Sequence, residues 1–140
     1  MPYSLTFELH EDYLKAHLRA AAITPALALA YMTEIYKKCI SSGRSRLLLL
    51  HDVLAVLPVS EYFALAERTA SVLKRIKVAY VNRYPAFHSD LEFFCVASNN
   101  RGANYRVFSD FPHAEKWLKE VTTTLPSIPS YSFFLPQVTA

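Results

Sequence analysis

The chain is poor in glycine and cysteine. Gly43 and Gly102 are its two glycines in 140 residues. They cannot build a glycine-rich loop that wraps backbone N–H groups around a phosphate, and each is better used to stop a helix. Cys39 and Cys95 stand far apart, in segments of helical spacing. That excludes a CxxC redox or zinc motif and fits two buried thiols better than a disulfide. HExxH and GxSxG are absent, and His10, His17, His51, His88 and His113 share no ligand spacing. No metal and no cofactor is expected. No apolar run reaches the ~18 residues of a membrane-spanning helix. Met1-Pro2-Tyr3-Ser4 lacks the basic start and apolar stretch of a secretory signal. The expectation is a cytoplasmic protein without stable membrane insertion. Charged residues make up 19% and the net charge is +3, with the basic residues scattered. Nucleic acid is therefore not an expected partner. The densest basic group, Lys74-Arg75-Ile76-Lys77, falls at a helix-to-strand junction, where cations favour the helix dipole.

Proline and apolar side chains are what the chain has in quantity. Hydrophobic residues reach 52%, enough for a core and too many for a disordered chain. Residues 3–9 alternate, with Tyr3, Leu5, Phe7 and Leu9 on one side. Residues 14–20 do the same, with Leu14, Ala16, Leu18 and Ala20. Two half-buried strands joined through His10-Glu11-Asp12 predict an antiparallel hairpin. Four prolines then punctuate the chain. Thr24-Pro25, Pro58, Pro85 and Pro112 each suit a helix start, where the missing N–H costs nothing. The predicted helices cover about 25–42, 59–74, 85–99 and 110–121. Between them Leu47-Leu48-Leu49-Leu50, Ile76 to Val81 and Tyr105 to Phe108 read as strands. Continuous apolar runs, rather than alternating ones, indicate strands covered on both faces. The reading is one α/β domain over residues 1–124. It has a mixed sheet of about five strands, an N-terminal antiparallel hairpin followed by parallel βα units, with four helices. Residues 125–140 carry three prolines and the apolar Tyr131, Phe133 and Phe134, a tail expected to dock on its own domain or on a partner subunit.

The best polar pair is His51-Asp52, at the C-terminal end of a central parallel strand, where open α/β sheets bind ligands. His51 could serve as a base that Asp52 orients. The plainer reading is that Asp52 satisfies backbone groups in a turn. Val53, Leu54, Ala55, Val56 and Leu57 follow as an unbroken apolar run. Buried, the run extends the core; exposed, it is a partner or ligand surface. Burial is the expectation. Ser60 opens the second helix, where it can help cap the helix or accept a phosphate. Phe93 lies off the stripe of Phe87, Leu91, Phe94 and Cys95. Together with the all-round apolar residues 26–32 it implies surplus apolar surface, whose commonest use is a dimer interface and whose next is a pocket for an apolar ligand.

The order of hairpin and βα units over about residues 3–121 resembles the STAS fold of SpoIIAA-like anti-sigma-factor antagonists. Ala97-Ser98-Asn99-Asn100-Arg101-Gly102-Ala103-Asn104-Tyr105-Arg106-Val107-Phe108, followed by Ala114-Glu115-Lys116-Trp117-Leu118, is similar to the SpoIIAA-like, STAS/SEC14-type branch. The resemblance implies a non-enzymatic module with no catalytic residues. In antagonist members a serine within an Asp-x-Ser-Gly-like turn, at the start of the helix after the central strand, is phosphorylated. Asp52 matches the aspartate, but Leu54 stands in the serine position, which argues against that switch here. The leading expectation is a protein-interaction or regulatory module, a homodimer and not an enzyme. One alternative is a carrier or sensor of a lipid or other apolar ligand, and a second is an enzyme with a His51/Asp52 site. The candidate surface is His51, Asp52, Val53, Leu54, Val56, Leu57, Ser60, Phe93, Tyr131, Phe133 and Phe134.

Overall fold

A computed structural model describes residues 2–54 and 57–120. The hairpin strands are β1 (Tyr3–Leu9) and β2 (Leu14–Ala20), paired antiparallel from Tyr3 opposite Ala20 to Leu9 opposite Leu14. Then α1 (Pro25–Ser42), β3 (Arg46–Val53), α2 (Val59–Thr69), β4 (Lys77–Asn82), α3 (His88–Asn99), β5 (Asn104–Phe108) and α4 (Phe111–Lys119) follow. The five-stranded sheet keeps chain order, β1-β2-β3-β4-β5, and every pair after the hairpin is parallel. Right-handed crossovers that all step in one direction put their helices on one face of the sheet. Accordingly α1, α2 and α3 share one core, whereas α4 packs on the opposite face.

Two faces explain the leucine run. Successive strand residues point to opposite sides. Leu47 and Leu49 therefore enter the core under α1–α3, and Leu48 and Leu50 enter the core under α4. In β4, Val78 and Tyr80 divide from Ala79 and Val81 in the same way. Truncating one such leucine to alanine costs about 2–5 kcal/mol. Among the described residues the second face is covered by a single helix resting on β3, β4 and β5. Over β1 and β2 that face carries Ser4, Thr6, Glu8, Lys15, His17 and Arg19, and stays polar.

The helix ends follow local chemistry. Thr24 Oγ1 accepts the Leu27 N–H at 3.1 Å, with Pro25 in the first turn. Gly43 closes α1 at φ +69°, the left-handed region glycine enters without strain. Pro58 is the N-cap residue of α2, and Pro85 opens a 3₁₀ turn, Pro85–Phe87, ahead of α3. Asp110 caps α4 by accepting the His113 N–H at 2.9 Å.

Two expectations change. β3 continues beyond Leu50 through His51 and Asp52 to Val53. Conversely, α2 ends at Thr69 and not near Lys74. The chain tightens into turns closed by Val72 N–H to Thr69 C=O (3.0 Å) and Ile76 N–H to Leu73 C=O (3.1 Å). Arg75 completes the turn at φ +72°, a conformation that strains a side chain with a Cβ. Lys74, Arg75 and Lys77 therefore lie past the helix and are not its dipole partners; Arg68 is the basic residue in its last turn. The expected docking of the tail, residues 125–140, falls outside the described residues.

Candidate functional site

Extending β3 to Val53 separates the polar pair. His51 and Asp52 are neighbours in a strand, so their side chains leave on opposite faces. They do not form a dyad.

His51 faces α1–α3. It helps line a cavity of about 20 Å³ with Tyr31, Tyr62, Tyr80, Leu91 and Phe94. That volume holds about one water molecule. The His51 and Tyr80 ring centroids are 5.7 Å apart. Burial pushes the imidazole down to about 4, and the Asp52 charge offsets only part of this. His51 is therefore neutral at physiological pH. Behind the cavity Tyr80, Phe94 and Tyr105 form an aromatic cluster with centroids 5.4–6.2 Å apart. The Tyr105 hydroxyl in it has no hydrogen-bond partner among the described residues.

Asp52 faces the polar side. The Tyr84 hydroxyl donates to its Oδ1, and His17 Nε2 and Arg19 Nε lie 3.4 and 3.6 Å from Oδ2. Parallel register sets Arg19 opposite Asp52. Tyr84 is fixed in turn by Asn82, whose Oδ1 accepts the Tyr84 N–H at 3.1 Å and whose Nδ2 donates to the Tyr84 carbonyl at 2.9 Å. The Tyr84 bond is the chief reason the Asp52 carboxyl sits below its ordinary range, and it raises the Tyr84 phenol in return. Asp52 thus ties β2, β3 and the chain after β4 together. Beside it runs a groove of about 400 Å³ lined by Tyr3, Arg19, Asp52, Leu54 and Tyr84.

The other candidates scatter. Val53 is in the core, and Leu57 is half-buried, its N–H donating to the Tyr62 hydroxyl at 3.3 Å. Leu54 is 61% exposed, against the expected burial of the run. Alternation turns it to the Asp52 side, where none of the described helices covers it. Ser60 is exposed in the first turn of α2 and makes no capping bond. Phe93 is exposed on α3, as its off-stripe position implied. Val56, Tyr131, Phe133 and Phe134 lie outside the described residues. The structure adds Val59 (60% exposed) and Phe63 (46%) on α2, and Val96 (55%) on α3. The Arg101 guanidinium covers the Phe63 ring at 4.5 Å. The signal was present in the sequence: Val59 and Phe63 are four apart and Phe93 and Val96 three apart, each pair on one helix face. Among the described residues no group of three His, Cys, Asp or Glu side chains could hold a metal ion. No helix there is long and apolar enough to cross a membrane.

No family model matches the chain, and no curated protein matches it. Among solved structures it is similar to an anti-sigma factor antagonist from Mycobacterium paratuberculosis. The TM-score is 0.57 at 11% identity, over 84% of this chain and 95% of that one. It is also similar to a DUF3478-family protein with a SpoIIAA-like fold from Shewanella loihica PV-4, with a TM-score of 0.46 at 17% identity, over 83% and 93%. The chain has the STAS, SpoIIAA-like fold expected from its order of elements.

Proposed function

We propose that this chain is a non-enzymatic, cytoplasmic interaction module that works as a homodimer. One observation carries the reading. Leu54, Val59 and Phe63 expose large apolar side chains at the C-terminal end of β3 and the first two turns of α2. Large apolar side chains left exposed, such as Val59 and Phe63 one turn apart on α2, are the mark of a partner surface. The similar solved structure is that of an anti-sigma factor antagonist, a description that supports a protein-partner role for this fold. Sedimentation velocity tests the reading. The wild type is expected to sediment as a dimer, and Val59→Asp with Phe63→Asp as a folded monomer. A wild type that stays monomeric at high concentration contradicts it.

The cavity beside His51 favours the second reading, a carrier of an apolar ligand, because Tyr31, Leu91 and Phe94 make its walls largely apolar. At about 20 Å³ it admits no lipid unless α2 and α3 part. Native mass spectrometry of protein taken gently from cells checks this, since a copurifying lipid would promote the carrier over the dimer. A His51/Asp52 enzyme has the weakest support, because the two side chains face opposite sides of the sheet.

A further inference from the structure

The loops that lead into β3, β4 and β5 gather basic side chains at the N-terminal edge of the parallel strands. Arg46 stands opposite Lys77 in the β3–β4 register, and the Ser45 carbonyl accepts the Lys77 N–H at 2.9 Å. Arg44 and Arg46 thereby come alongside Lys74, Arg75 and Lys77. Two adjoining grooves of about 380 Å³ each open there and share Ser45, Lys74, Arg75 and Ile76. One extends past Tyr36 and Ile40 to Arg44; the other passes Arg46 and Lys77 to Gly102 and Asn104.

Among the described residues these cations form no salt bridge, although the Glu120 charge reaches Lys77. None has a carboxylate within 4.0 Å among the described residues. Residue 1, residues 55–56 and residues 121–140 contain no Asp or Glu, so no other side chain of the chain can supply one. The Glu120 charge acts on Lys77, and the hairpin turn that holds Glu11 and Asp12 starts beside Arg44, which donates to the His10 carbonyl. Two of the cations are fixed by carbonyls. Arg44 donates to His10 and Ser42, each at 3.0 Å, and Lys77 to Trp117 at 2.6 Å and Glu120 at 3.1 Å. Burial lowers the Lys77 pKa, and the like charge of Arg46 lowers it further. An anion placed here would relieve that crowding.

We propose that this edge docks an acidic segment of a partner protein, with carboxylates over Arg46, Lys74 and Arg75 and one apolar side chain beside Ile40. Ile40 is 58% exposed at the margin of the basic groove, a setting that rewards an apolar anchor within an acidic sequence. The surface is concave and confined to three loops, which suits an extended peptide more than a membrane plane. It offers nucleic-acid bases a single aromatic ring, Tyr36. It lies at the opposite end of the strands from Leu54 and Val59, and none of its lining residues belongs to the apolar set proposed for the dimer.

Fluorescence anisotropy tests the proposal, using the full chain and a fluorescein-labelled peptide of alternating Asp, Glu and Leu. Parallel arms use phosphatidylserine vesicles and single-stranded poly-uridine RNA. The variant pairs Arg46→Gln with Arg75→Gly, because glycine adopts φ +72° without strain and the fold is kept. The expected result is saturable peptide binding that weakens with salt and falls about tenfold or more in the variant. The wild type should leave the vesicles and RNA unbound. No binding to the acidic peptide overturns the proposal, as does equal binding by the variant. Tighter binding of vesicles or RNA than of peptide assigns the surface to that class instead and overturns it too.

Discussion

His51 carries the clearest pH signature in the molecule. In the folded chain burial holds its imidazole down to about 4, against 6.5 for an ordinary histidine. As pH falls, the unfolded chain takes up the proton first. The stability that a neutral His51 contributes is therefore complete above 6.5, declines between 6.5 and 4, and is lost below that. The loss amounts to about 3 kcal/mol. Urea unfolding across this range should show the decline in the wild type and much less of it in His51→Phe. Tyr84→Phe acts on the other face. It removes the strongest hydrogen bond to Asp52, so the carboxyl pKa should rise toward 3.8, read by carboxyl-carbon NMR. An unchanged pKa would mean that His17 and Arg19 hold Asp52 without Tyr84. Arg75→Gly should raise stability by about 1 kcal/mol, since it relieves a left-handed residue that has a Cβ. A loss of stability there would show that the Arg75 side chain matters more to the fold than its backbone strain.

At the scale of elements, the legible features were those with a local cause. Thr24-Pro25 announced α1 and Gly43 ended it, because a side-chain cap and a left-handed stop are properties of single residues. Thr24→Ala should accordingly cost about 1 kcal/mol in thermal or urea unfolding. The leucine run revealed a strand buried on both faces because only such a strand lacks alternation. The end of α2 could not be read, since neither glycine nor proline follows Thr69 and Arg75 turns the chain in their place. The end of β3 was similarly hidden, and with it the fate of the His51-Asp52 pair. Had the strand been drawn through Val53, its two-residue period would have parted them. The Asp52–Tyr84 bond and the meeting of Arg46 with Lys77 depend on parallel register between strands far apart in sequence, which no local pattern encodes.

For the whole molecule, chain order in the sheet has a functional consequence. Among the described residues it places three helices on one face and α4 alone on the other. The C-terminal ends of the strands then present apolar side chains, and the N-terminal ends present cations that form no salt bridge among the described residues. The proposed function is that of a two-ended docking module, with a half-buried His51 beneath α1–α3 as a structural residue. The central claim is that the apolar end joins two copies. Amide hydrogen exchange, compared between dilute and concentrated protein, tests it most directly. Added protection on concentration should appear at Leu54 and along Val59–Phe63, with the loops at Arg44–Arg46 and Lys74–Lys77 unchanged. Exchange that is the same at both concentrations, or protection confined to another surface, would contradict it.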